Sequence, residues 1–285
     1  MSMPAPADVL TAPNLTSEAF ETIRRVVSER AGIELSESKR ELVCGRLARR
    51  LRALRCASYE EYARLIASKE GEEECHSMIC AVTTNVTDFW REPHHFEHVR
   101  DHVAAAAIAD ARKGAPIRFW SAGSSDGREA LSLGATLLDA ANGSLGNADL
   151  RILATDIDTD ILRKARAGRY AAAEGDKLPP ALRDKWFKES AGYVEPVESL
   201  RRLIQYNPLN LKVKWPMKRR FRGIFCRNVL IYFPNDLQAE LMVRFAEMLE
   251  PNGFLYLGHS ERLHGPALSK FKPCCPSGFQ KVSGA

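Results

Sequence analysis

From Thr16 onward apolar residues recur at helical spacing. Phe20, Ile23, Val26 and Val27 form one stripe, and Thr16-Ser17-Glu18 supplies a cap and an acid for the first turn. A second helix is expected after Ser36, with Val43, Leu47, Leu51 and Leu54 on its apolar side. Ser58 and Glu61 have capping-box spacing for a third helix through Tyr62, Leu65 and Ile66, and Glu72 to Val82 predicts a fourth. The pattern predicts a helical domain over 15–84, whereas 1–14, with Pro4, Pro6 and Pro13 and little periodicity, is expected to be disordered.

After about residue 115 strands and helices alternate. Ile117 to Ser121, Leu150 to Thr155, Arg202 to Tyr206, Gly223 to Arg227, Gly253 to Leu257 and Phe279 to Val282 read as strands. Helices are expected at Ala130 to Leu138, at Thr159 to Ala165, and along the stripe Leu237, Leu241, Met242, Phe245, Met248 and Leu249. Such alternation predicts an open, mostly parallel α/β sheet over 116–285, with 85–115 as a connecting segment and lid. The alternation breaks between Tyr170 and Arg201, which marks an insertion at about 171–201.

Composition narrows the class. The chain has 285 residues, 45% hydrophobic and 27% charged, as in an ordinary globular protein. No apolar run approaches the roughly 18 residues of a membrane helix, and Met1 to Leu15 lacks a basic segment leading into an apolar one. A cytoplasmic protein without membrane insertion is expected. The seven cysteines are an odd number, scattered except for Cys274-Cys275, and read as reduced thiols. No CxxC pair exists and His94, His95, His98 and His102 lack companion spacing, so no metal site is expected. A net charge of +5 does not point to nucleic acid. Its distribution says more, since seven basic residues face one acid, Glu41, between Lys39 and Arg55. Lys39, Arg46 and Arg50 line one edge of the second helix, with Arg49 and Arg52 further outward. The row is either a solvated face or a docking surface for an acidic partner.

In an open α/β sheet the ligand lies beyond the carboxyl ends of the strands. The first strand runs into Gly123 and Gly127, which allow close backbone approach, and Glu129 opens the next helix with a carboxylate. The second ends in Asp156-Ile-Asp158. Asp156 can take both hydroxyls of a ribose, while Asp158 suits a helix cap. Asn210 and Asn228 follow two further strands and can each give and accept hydrogen bonds. Together these fit a nucleoside-containing cofactor, and the lack of G-x-G-x-x-G spacing disfavours a nicotinamide dinucleotide. Upstream, Asn85, Thr87, Phe89 and Arg91 alternate, so an extended segment would present all four on one face of a lid.

These residues carry a family resemblance. Thr84-Asn85-x-Thr87-x-Phe89-x-Arg91-Glu92 with His95-Phe96, Trp120-Ser-Ala-Gly123 with Gly127-x-Glu129, Asp156-Ile-Asp158, Asn210-Leu211, Phe225-Cys-Arg-Asn228-Val-x-Ile-Tyr232-Phe233 and Gly258-His-Ser-Glu261 closely resemble the CheR family. The likeness runs in order from about Phe20 to Val282. It implies a protein-glutamate O-methyltransferase of bacterial chemotaxis that uses S-adenosylmethionine. The implied architecture is a small all-helical amino-terminal domain beside a mostly parallel Rossmann-like methyltransferase sheet, with a small antiparallel β insertion. By motif position Asn85, Thr87, Arg91, Glu129, Asp156, Asn210, Leu211, Arg227 and Asn228 would surround the cofactor. Arg91 and Tyr232 would lie nearest the transferring methyl. The implied partners are the cytoplasmic helices of methyl-accepting chemotaxis receptors, for which Lys39, Arg46 and Arg50 are the candidate docking residues.

The chain departs from the family in two places. The family's usual Gly-Glu-Glu-Pro-Tyr-Ser is Gly127-Arg128-Glu129-Ala130-Leu131-Ser132 here, and Arg222 replaces a usual Asp. Arg128 would bring positive charge close to a sulfonium ligand. A CheR-like module that binds cofactor or receptor without turnover is therefore the competing reading.

Overall fold

The helical stripes of the amino-terminal part become four helices in a computed structural model that describes residues 14–282. The expectation of disorder over 1–14 lies, save for Asn14, outside the described residues. The chain divides into two compact units, one through Thr83 and one from Thr84, and each is described by itself.

The first unit contains α1 (Ser17–Ala31), α2 (Arg40–Leu54), α3 (Tyr59–Ala67) and α4 (Glu72–Val82). Thr16 caps α1 by accepting from the Ala19 amide, and Gly32 ends it with φ +75. Ser58 Oγ accepts from the Glu61 amide at the start of α3, while the Glu61 carboxylate reaches one residue further back, to the Ala57 amide. Phe20, Ile23, Val27, Val43, Leu47, Tyr62 and Met78 are fully buried between the helices. Two basic residues of α2 serve this unit internally. Arg46 donates to the carbonyls of Val82 and Thr83, which end α4 without intrahelical donors. Arg50 donates to both oxygens of Glu74, which also accepts from Tyr62 Oη at 2.6 Å.

The second unit opens with a strap, residues 84–92, followed by α5 (Pro93–His98), which runs through a π turn (Val99–Val103) into α6 (Ala104–Arg112). Then come β1 (Ile117–Ala122), α7 (Arg128–Ala140), β2 (Leu150–Asp156) and α8 (Thr159–Ala167). The insertion holds β3 (Tyr170–Ala171), α9 (Ala172–Gly175), α10 (Pro180–Trp186), β4 (Phe187–Ser190), β5 (Tyr193–Pro196) and α11 (Glu198–Arg201). After it follow β6 (Ile204–Pro208), β7 (Phe221–Cys226), α12 (Asn235–Met248), β8 (Leu249–Leu257), β9 (Phe271–Cys275) and β10 (Gly278–Lys281).

Seven strands form one sheet in the order β6-β2-β1-β7-β8-β10-β9, parallel except at β10 and β9, while β3, β5 and β4 make a small antiparallel sheet. The strand order reverses beside β1, between β2 and β7, so the carboxyl ends of these strands flank the crevice where such sheets hold ligands. The strap is not extended along its whole length. Trp90 and Glu92 both take φ +56, which destroys the alternation, and Phe89 turns inward to pack edge-on against Tyr170 and Phe187. The substituted Arg222 bridges Glu250 at 2.7 Å and Asp110 at 2.9 Å, so its charge is matched where it stands.

Candidate cofactor and methyl-transfer site

The loop after β1 is tied down before it meets any ligand. The amides of Gly123 and Ser124 both donate to the Thr155 carbonyl at 2.8 Å, and the Ser125 amide donates to Asp156 Oδ2 at 2.8 Å. Gly127 takes φ +90, and a Cβ there would lie 2.7 Å from Tyr206 Oη, so conformation and space both call for glycine. The backbone thereby crosses the ends of β1 and β2 closely and delivers Glu129 in the first turn of α7.

Asp156 ends β2 with only 8% exposure. Its second oxygen accepts from the Asp158 amide at 3.0 Å, and burial pushes its carboxyl up to about 6 against the pull of these amides. Asp158 is the cap of α8, accepting from the Asp160 and Ile161 amides, and it also accepts from Asn85 Nδ2 at 2.7 Å. The strap is held here a second time, because Ser125 Oγ donates to the Asn85 carbonyl.

A buried charge chain crosses from β1 to β7. Ser121 Oγ donates to Glu129 at 2.7 Å, and Arg227 Nη1 donates to the other Glu129 oxygen at 3.1 Å. The Arg227 guanidinium, 2% exposed, also approaches Glu92 at 3.4 Å, donates to the Arg91 carbonyl and lies over the Phe96 ring. Burial drives the Glu129 carboxyl up, opposed by Arg227. Burial also works against an ionised Glu92, but Arg227 and two bonds from His259 outweigh it and hold that carboxyl down.

The remaining expected residues lie around this chain. Asn210 and Leu211 follow β6, which pairs with β2. The Asn210 carboxamide accepts from the Lys212 amide, and the buried Leu211 accepts from Trp215 and Arg244 through its carbonyl. Asn228 follows Arg227 with φ +59, and Tyr232, half-buried, ends the short 3-10 helix Leu230–Tyr232. Thr87 is half-buried on the strap, where the Arg91 guanidinium donates to the Val86 carbonyl at 3.0 Å. Asn85, Arg91, Glu129, Asp156, Asn210, Arg227 and Asn228 thus lie on the strap or follow the carboxyl ends of β1, β2, β6 and β7. Lys39, Arg46 and Arg50 belong to the first unit, where Arg46 and Arg50 have the internal partners given above.

Arg128 is surrounded by carboxylates. Its guanidinium is held by Asp126 at 2.7 Å and Glu174 at 2.8 Å, with Asp88 at 3.5 Å, so surrounding carboxylates balance its charge.

Glu261, which ends the Gly258-His-Ser-Glu261 motif, organises the turn after β7. Its carboxylate accepts from the amides of Gly258 at 2.6 Å, Leu230 at 2.7 Å, and Asn228 and Val229 at 2.9 Å. It shapes the turn that carries Asn228 and Tyr232. A Cβ on Gly258 would meet the Asn228 amide nitrogen at 2.8 Å, so this glycine is required for the close approach.

The arrangement fits S-adenosylmethionine. A carboxylate has about four lone-pair sites, so Asp156 keeps acceptor capacity beyond its backbone amide bonds, as a ribose needs, and Ser124 Oγ and Arg227 Nε are buried without protein hydrogen-bond partners. Two carboxylates, Glu92 and Glu129, on one buried guanidinium leave an excess of negative charge, which suits a cationic ligand.

Comparisons with known proteins agree with this geometry. Residues 85–275 match the family described as CheR methyltransferase, SAM binding domain, and residues 18–83 match CheR methyltransferase, all-alpha domain. A probable chemotaxis protein methyltransferase of Rhizobium etli is 44% identical over 85% of this chain and 91% of its own. Chemotaxis protein methyltransferase 2 of Pseudomonas aeruginosa is 37% identical over 91% and 92%. The chemotaxis protein methyltransferase of Escherichia coli is 38% identical over 87% and 85%.

Proposed function

Given that the chain belongs to the CheR methyltransferase family, we propose that it methylates glutamate carboxylates on the cytoplasmic helices of chemotaxis receptors, forming glutamyl methyl esters in sensory adaptation. The observation that carries this reading is the buried Glu92–Arg227–Glu129 chain, together with Asp156 at the carboxyl end of β2, among the strand ends where an open α/β sheet takes its ligand.

S-adenosylmethionine supplies an electrophilic methyl on a positively charged sulfur. Asp156 holds the ribose, Glu129 and Arg227 the amino-acid end, and Asn85, Thr87, Asn210, Leu211 and Asn228 enclose the rest. A glutamate with an ordinary pKa of about 4.3 is already ionised at neutral pH, so the nucleophile needs no general base. The protein's work is then to position the carboxylate in line and to exclude water. Arg91 and Tyr232 are the side chains proposed to orient the acceptor. Attraction between carboxylate and sulfonium fades as charge is neutralised toward the transition state, so a low-polarity pocket favours transfer.

Receptor docking is assigned to the basic side of α2. Arg46 and Arg50 must serve it together with their internal bonds, while the exposed Arg49, Arg52 and Arg55 extend the charge of Lys39, Arg46 and Arg50 outward. The deciding experiment is transfer of labelled methyl to receptor-containing membranes, followed by base hydrolysis. Label in the receptor band that is released by base supports glutamyl esters. Base-stable label, or none, overturns the reading.

A further inference from the structure

The carboxy-terminal hairpin brings together side chains that sequence spacing keeps apart. One ring nitrogen of His98 and the sulfurs of Cys274 and Cys275 all lie within 4.8 Å of one another. Neighbouring residues of a regular strand point to opposite faces, so two adjacent cysteines sharing a side requires an explanation. The pairing supplies it: Gly278 faces Cys275 and Phe279 faces Pro273, leaving Cys274 as the extra residue of a bulge. Gly278 then makes room for both sulfurs. A Cβ on it would lie 2.2 Å from Cys275 Sγ and 3.6 Å from Cys274 Sγ, although its own φ is not positive.

His98 is the last residue of α5, at the entry to the π turn, a distortion that recurs at functional sites. Its Nδ1 lies 3.0 Å from Tyr256 Oη, a contact that orients the ring and leaves its other nitrogen for a ligand. The exposed His102 ring stands 5.0 Å away, centroid to centroid, on the solvent side. We propose that His98, Cys274 and Cys275 form a binding site for one zinc-type divalent ion, with His102 or water completing four ligands.

The donor set favours this class of ion, because two thiolates and an imidazole suit a borderline-soft metal in tetrahedral geometry. Bonds of about 2.3 Å to sulfur and 2.0 Å to nitrogen place neighbouring tetrahedral ligands roughly 3.5 Å apart, within reach of side-chain rotation here. As each sulfur–metal bond forms, the thiol proton passes to solvent, and no oxidant or reductant is consumed. A second cluster, Glu92 with His94 and His95, is a poorer cation site. Its one carboxylate, Glu92, is already paired with the Arg227 guanidinium at 3.4 Å as part of the charge chain described above. A bound ion at the first cluster would tie the β9–β10 hairpin to the helix that follows the strap.

The test uses full-length protein, stripped with chelator and kept reduced with a phosphine. Cobalt(II) is titrated first, then zinc(II) in competition with a chromophoric chelator. One ion per chain is expected, with a thiolate-to-cobalt absorption band that zinc abolishes and a rise in melting temperature on zinc addition. Cys274→Ser, Cys275→Ser and His98→Gln should each weaken binding at least about tenfold. The double cysteine variant should lose the thiolate band while still binding S-adenosylhomocysteine, which shows that it folds. Cys44→Ser, in the other unit, should change nothing. Absence of a thiolate band and of zinc uptake in the reduced wild type overturns the proposal whatever the variants do. So does uptake that survives in a folded double variant.

Discussion

Asp156 is a carboxylate held in a state that its ligand would change. Burial pushes it up to about 6, and ribose hydroxyls donating to it would favour the ionised form. Cofactor binding is therefore linked to loss of a proton. Affinity for S-adenosylhomocysteine should be flat above pH 6 and fall by up to about tenfold per unit below it. Asp156→Ala should lower affinity about ten- to hundredfold at neutral pH and flatten that dependence. It should not unfold the chain. The folded-state pKa lies above the unfolded one, so ionised Asp156 opposes folding above pH 6, and this offsets the loss of its backbone amide bonds on removal. Calorimetric titration between pH 5 and 8 measures both effects, and unchanged affinity would remove Asp156 from the ribose. Arg91→Ala and Tyr232→Phe should lower single-turnover rate more than cofactor affinity, and normal rates at saturating substrate would make both structural. Polar residues at strand ends were legible because an α/β sheet puts ligands there. Their partners were not, since Glu129 meets Arg227 across 98 positions of sequence and Arg128 finds Glu174 across 46.

The turn from Arg227 to Tyr232 shows how one element depends on another. Its amides converge on the Glu261 carboxylate, so an anion fills a nest of donors. Glu261→Gln would turn an amide NH2 against those N–H groups. It should cost about 2–4 kcal/mol of stability and weaken cofactor binding through the displaced Asn228, with Glu261→Asp recovering only part because its shorter stem cannot reach all four. Urea unfolding beside calorimetry checks this, and a stable variant with normal affinity would show that the turn holds without its anion. Elements with clean periodicity, such as α4 and β2, were readable within a residue or two. β9 escaped because Pro273 interrupts its pattern, which a strand at the sheet edge tolerates. The bend of the strap was not legible because positive φ at Trp90 and Glu92 is invisible in a pattern of alternating side chains.

At the scale of the whole molecule, the residues proposed for the cofactor occupy one unit and the basic helix the other, so receptor attraction and cofactor binding should be separable by mutation. Replacing Arg46 and Arg50 would confuse the two, since Arg50→Ala leaves Glu74 and Tyr62 without their cation and should cost about 1–3 kcal/mol, while Arg46→Ala uncovers the carbonyl end of α4. Arg49 and Arg52 are exposed on the same helix and can be changed without that penalty. Arg49→Glu with Arg52→Glu should leave the melting temperature and S-adenosylhomocysteine affinity near wild type. The same pair should raise the receptor concentration for half-maximal rate, because partly solvated charge attraction acts mainly on encounter and is screened by salt. The salt dependence of that concentration should flatten or reverse. Each ester formed also removes one acidic charge from the receptor, so the wild-type advantage should shrink as methylation proceeds, and the charge-reversed variant should show no such decline. If it methylates receptors normally at every ionic strength, the arginines of α2 only keep that face hydrated and the receptor is recognised elsewhere.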